Sequence, residues 1–143
     1  MQKSIPPRPG RVALERWLAG GAVAACILAT LVPWQPIAAQ QAMWPLPGLY
    51  FLEMIAVSAA GMLAIFRGSL TRLAWAAVGA LLGFAALGVL TVGVYFLPSA
   101  VLLAGAEMLS SRRLGRNWVL GLGVAGLAAI VQVGIVLALI STM

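Results

Sequence analysis

Apolar residues run along this chain in long blocks, and polar residues fall in the short gaps between them. The first block spans about Val12 to Val32, where Pro33 and Pro36 stop it. A second runs from about Gly48 to Phe66 and ends at Arg67, Gly68 and Arg72. The stretch Leu73 to Ser111 is apolar almost throughout. As one helix it would be roughly 58 Å long at about 1.5 Å per residue. The hydrocarbon core of a bilayer is only about 30 Å thick. Two shorter helices fit, with the reversal near Thr91–Val94 and Pro98 close to the second start. The last block runs from about Trp118 to Ile140. The pattern predicts an all-α integral membrane protein of five transmembrane helices, over about 12–32, 48–66, 72–91, 94–111 and 118–140. Segments three and four form a tight helical hairpin. Residues 1–11, with Pro6, Pro7 and Pro9, read as an irregular cytoplasmic tail ahead of a single transmembrane domain, 12–143.

The positions of the charges select this number of spans. All nine basic residues lie at the edges of the blocks: Lys3, Arg8, Arg11, Arg16, Arg67, Arg72, Arg112, Arg113 and Arg116. With five spans they all fall on one side, as the positive-inside rule requires; with four, the last three fall on the other. The same arrangement brings Trp17, Trp75 and Trp118 to the inner interface and Trp34, Trp44, Tyr50 and Tyr95 to the outer one. The N-terminus is then cytoplasmic and the C-terminus outside. The basic head, apolar run and Ala38–Ala39 have the layout of a secretory signal, but the segment is read as a retained membrane helix. The wealth of Arg, Ala, Gly and Leu suggests a bacterial inner (plasma) membrane.

Composition makes the membrane class firm. Of 143 residues, 63% are apolar and 8% charged, too few charges for the surface of a water-soluble domain. The net charge of +6 reflects topology, so nucleic acid is not an expected partner. There is no histidine, and the single cysteine, Cys26, sits inside an apolar block. Three separated glutamates and one thiol cannot build a conventional zinc, haem or iron–sulfur site. There is no histidine base for a hydrolytic triad and no phosphate-binding glycine loop. No catalytic residue, cofactor or metal is expected, and an enzyme is not.

Close helix packing in lipid relies on small residues. Gly79 and Gly83 form a GxxxG in segment three, and Gly121, Ala125 and Ala129 line up on segment five. Gly21 and Ala25 mark segment one, and Ala56, Ala60 and Ala64 segment two. These faces either pack the bundle internally or, on segment five above all, dock on another subunit.

Each acid in a membrane segment needs a reason, because a charge at the bilayer centre costs about 2.5–3.5 kcal/mol on insertion scales. Glu15, beside Arg16 at the inner boundary, reads as an interfacial ion pair or a solvated charge. Counting at about 1.5 Å per residue puts Glu53 roughly 8 Å and Gln132 roughly 12 Å below the outer boundary. They form a candidate intramembrane polar pair. Glu107 lies near the inner end of segment four and is expected to pair with Arg112 or Arg113.

These features fit a non-catalytic integral membrane subunit, or an assembly or stabilising factor, of a larger membrane complex, energy-transducing complexes among them. Membrane lipids and other integral subunits are the expected partners. The 14-residue outer loop, Trp34 to Pro47, is rich in Trp, Pro and Gln and uncharged, which suits docking under a partner or anchoring in the interface. The alternative is a small homo-oligomeric transporter or channel using Glu53.

Overall fold

The structure, a computed structural model, describes residues 9–32, 46–87 and 93–141. Five α-helices follow one another: α1 (Pro9–Leu31), α2 (Leu46–Arg67), α3 (Thr71–Leu87), α4 (Leu97–Arg113) and α5 (Trp118–Ser141). A 3₁₀ turn, Gly93–Phe96, leads into α4. The chain is a helical bundle of membrane type: α1, α2, α5 and the combined 3₁₀–α4 segment are each long and apolar enough to cross a bilayer. The remaining helix, α3, is apolar but has 17 residues, about 26 Å of rise at 1.5 Å per residue.

The first helix begins at Pro9, three residues before the expected start at Val12. A proline is well placed there, because the first helical N–H needs no partner and its fixed φ is already helical. The expected reversal near Thr91–Val94 falls partly outside the described residues. Its described end, Gly93–Phe96, is a 3₁₀ turn, and Pro98 sits in the first turn of α4. The loop Trp34 to Pro47 lies outside the described residues up to position 45, as does the tail 1–8.

Two turns at the basic end are fixed by glycines with left-handed backbone. Gly68 has φ 64° and donates to the carbonyls of Ala64 and Ile65, closing α2. Gly115 has φ 63°, donates to Arg112 O, and sets Arg116 N–H on Ser111 O at 2.9 Å. That pair of bonds is a Schellman cap. Asn117 then caps α5, its Oδ1 accepting from Val119 N at 3.1 Å.

The helices alternate in direction, so the start of α1, the α2–α3 turn and the α4–α5 turn share one end. Side-chain contacts across that end join Glu15 to Arg113 and Thr71 to Arg116. All seven arginines of the described residues therefore gather there. In the core, α1 packs on α4 and α2, and α3 packs on α2, α4 and α5. The last helix is peripheral and leans almost entirely on α3.

The α3–α5 seam is built by the small residues. A Cβ on Gly79 would run into the Ala125 backbone, one on Gly83 would lie 2.8 Å from Ala129 O, and one on Gly121 would strike the Trp75 ring. The GxxxG of α3 thus meets the Gly121–Ala125–Ala129 stripe of α5 within one chain. The other small-residue motifs are only partly buried: Ala64 lies in the core at 1% exposure, whereas Ala25 and Ala60 are half-buried. Gly21 has only Leu102 Cδ1, 3.7 Å away, and Ala56 is exposed. The buried stripe of α1 is Ala19, Ala22, Cys26 and Ala29, and on α2 the close approach is at Gly61, against Leu103 and Ala77.

At the far end, Phe96 is fully buried between Phe84, edge-on at 5.2 Å, and Phe51, stacked at 6.3 Å. Such ring pairs add about 0.5–1.5 kcal/mol each beyond area burial. Of the expected inner aromatics, Trp17 and Trp118 are exposed, but Trp75 is buried at 4% exposure. Its position on α3 turns it under α5, where Gly121 leaves room for the indole.

Candidate functional site

The three glutamates of the described residues have three different environments. Glu15 is 2% exposed, and Arg113 Nε donates to both its carboxylate oxygens, at 3.0 and 3.1 Å. The pair joins the start of α1 to the end of α4. Glu15 heads the buried stripe of α1, since positions 15, 19, 22, 26 and 29 share a face. Of the two expected readings it is therefore the ion pair, with the carboxylate buried and its partner the partly exposed Arg113 of another helix, not Arg16. Its sequence neighbour Arg16 points elsewhere, with its guanidinium 5.8 Å from the centre of the Phe66 ring.

Glu107 is 1% exposed. It does not pair with Arg112 or Arg113 as expected. Ser111 Oγ donates to its Oε1 at 3.0 Å, and its Oε2 has no hydrogen-bond partner among the described residues. The reason is helical phase. At about 100° per residue, Ser111 is one turn on and faces the same way as Glu107. Arg112 and Arg113 are rotated roughly 140° and 120° away on opposite sides. Arg113 is thereby turned toward α1, and Arg112 is exposed.

Glu53 and Gln132 come together: Gln132 Nε2 donates to Glu53 Oε1 at 3.3 Å. Gln132 is 5% exposed, but Glu53 is exposed. The bond bridges α2 and α5, which do not otherwise pack on each other, over the surface of α3. The carboxyl thus lies on the outside of the bundle, seven residues into α2, and not in an internal pathway. Along its length α5 presents a broad apolar face, with Leu120, Leu127 and Ile130 exposed.

Two further polar contacts lie inside the bundle. Ser99 Oγ donates to the Ala22 carbonyl of α1 at 2.8 Å, and Ser58 Oγ of α2 lies 3.5 Å from Ser99 Oγ. These are structural links of three helices. Among the described residues no group of three His, Cys, Asp or Glu side chains could hold a metal ion. Cys26 is free and buried.

The fold and this set of side chains define a class, a small polytopic helical membrane protein whose most exposed acid lies in the flank of the bundle. Comparison with family models, with curated proteins and with solved structures gives no match.

Proposed function

We propose that the chain is a five-span, non-catalytic integral subunit or assembly factor of a larger complex in a bacterial inner membrane. Its N-terminus is cytoplasmic and its C-terminus outside. The observation that supports this reading is the outward placement of Glu53. A carboxylate facing lipid costs up to about 2.5–3.5 kcal/mol, depending on depth. One hydrogen bond between membrane helices returns about 0.6 kcal/mol. The remainder favours a neighbouring protein that covers Glu53 and supplies a donor. A peripheral α5, held by one neighbour and apolar on its outer face, is suited to the same contact.

Purification of the tagged protein in a gentle detergent, followed by native mass analysis, tests the proposal. Stoichiometric recovery of larger membrane subunits is expected, retained with Glu53→Gln and lost or reduced with Glu53→Leu. Recovery of the chain alone, as a defined homo-oligomer, would sink the subunit reading. The alternative, a homo-oligomeric transporter using Glu53, would then be tested by transport with the Gln variant, which should assemble but not transport.

A further inference from the structure

At the basic end, α1, the α2–α3 turn and the α4–α5 turn line a half-open pocket of about 400 Å³. Arg16, Arg67, Arg113 and Arg116 line it with Ser69, and Glu15 is the acid in its wall. The lining carries an excess of three positive charges. The positive-inside rule explains why arginines lie at this end of the bundle. It does not explain why four from three separate chain segments converge on one walled space.

Three of the four are held: Arg113 by Glu15, Arg116 by the Thr71 hydroxyl, and Arg16 over Phe66, while Arg67 stands exposed at the end of α2. The backbone of Arg116 is itself fixed by the Schellman cap at Gly115. Fixed guanidiniums with unspent N–H donors match the oxygens of a phosphate.

A second space adjoins the first, a groove of about 950 Å³ between α3 and α5. The two share Ser69 and Arg116, and the groove is walled by Leu70, Leu73, Leu120 and Val124. A cationic pocket opening at its edge into an apolar groove along two membrane helices has the chemistry of a phospholipid. Basic pockets between membrane helices on the inner side are a known setting for anionic headgroups.

We propose that this pocket binds the phosphodiester headgroup of an anionic phospholipid, with one acyl chain lying in the α3–α5 groove. Arg67 and Arg116 take the phosphate oxygens, Ser69 donates from the turn, and Arg113 stays with Glu15.

The test uses the full chain in a neutral mild detergent. The probes are dioleoyl-phosphatidylglycerol, dioleoyl-phosphatidylcholine and inorganic phosphate, and binding is read by native mass spectrometry and by the shift in thermal midpoint. The glycerol lipid is expected to bind at least tenfold more tightly than the choline lipid. Arg67→Gln and Arg116→Gln should each weaken it about tenfold, the worth of one charge-assisted hydrogen bond. Arg11→Gln makes the same charge change outside the pocket and should shift binding less than threefold. Size-exclusion profiles identify any variant that fails to fold, and Arg67, exposed at a helix end, is the milder of the two. Equal losses from Arg11→Gln and Arg67→Gln would reduce the effect to general surface charge and overturn the proposal. Equal binding of the choline lipid, or saturation by inorganic phosphate alone at the same concentration, would overturn it as well.

Discussion

Replacing Gly79 by Ala tests whether α5 is held to the bundle by close backbone approach. A methyl group at Gly79 would press on the Ala125 carbonyl oxygen and lie 2.7 Å from its carbon and 2.8 Å from Ala125 Cα. Carbon atoms pack comfortably at about 3.5 Å or more, so the backbones must part by roughly 0.7 Å, and further at the oxygen. No flexible side chain stands between them to give way. A gap of about 0.5–1 Å forfeits a quarter to a half of each dispersion contact. The loss spreads along the seam from Gly121 to Ala129, because α5 has almost no other neighbour. Overpacking of this kind costs about 1–3 kcal/mol, and the better helix propensity of Ala offsets somewhat less than 1 kcal/mol of it. The net expectation is a loss of up to about 2 kcal/mol against the native protein, and about 1–3 kcal/mol against a Gly→Ala change that meets no clash. Gly126→Ala is the control, since a Cβ at that position of α5 meets nothing within 4 Å. Unfolding in mixed micelles with rising SDS, followed by circular dichroism and by intrinsic tryptophan fluorescence, to which Trp75 under the seam contributes, measures both. The reasoning fails if Gly79→Ala is as stable as Gly126→Ala.

Two further outcomes follow from the basic end. Removing Arg113 leaves Glu15 as a buried charge without its partner. A double-mutant cycle of Glu15→Gln and Arg113→Gln, read by the same SDS unfolding, should give a coupling energy of about 1–3 kcal/mol; a value indistinguishable from zero would make the ion pair incidental. If all five helices span the membrane, as proposed, the two termini lie on opposite sides. A reporter active only outside the cytoplasm should be active when fused after Met143 and inactive when fused before Met1; activity at both or neither would leave an even number of spans.

The helices were legible in the sequence because the bilayer sets their length. A 39-residue apolar stretch, Leu73 to Ser111, has to fold back on itself, and α3 and α4 occupy it. Their faces were less legible. Where nearly every position is apolar, periodicity carries little information, so the spacing of small residues becomes the remaining guide. Of the positions that spacing marked, Gly79, Gly83 and Gly121 stand at close approaches, the first two to the backbone of Ala125 and Ala129, whereas Gly21 has only Leu102 Cδ1 within 4 Å, Ala56 is exposed and Ala64 is buried in the core. The sequence also passed over Gly61, whose Cβ would crowd Leu103 at 2.8 Å.

The acids are better guides to facing, because orientation changes their energy most. Phase alone separates Glu107 from Arg112 and Arg113 and joins it to Ser111. Phase also sets Glu15 at the head of the stripe Ala19, Ala22, Cys26 and Ala29, where only a cation from another helix can meet it. Both of these acids turn inward, as the cost of exposing charge to hydrocarbon requires. Glu53 breaks the rule. On α2 the inward positions are Phe51, Met54, Ser58 and Gly61, and Glu53 falls between the first two, on the outer flank. Its one bond, from Gln132, spans two helices that do not pack on each other. A position that violates the local rule with so little internal compensation is where function or a partner is to be sought. The departure at Glu53 therefore weighs more in the functional reading than the many positions that obey the pattern.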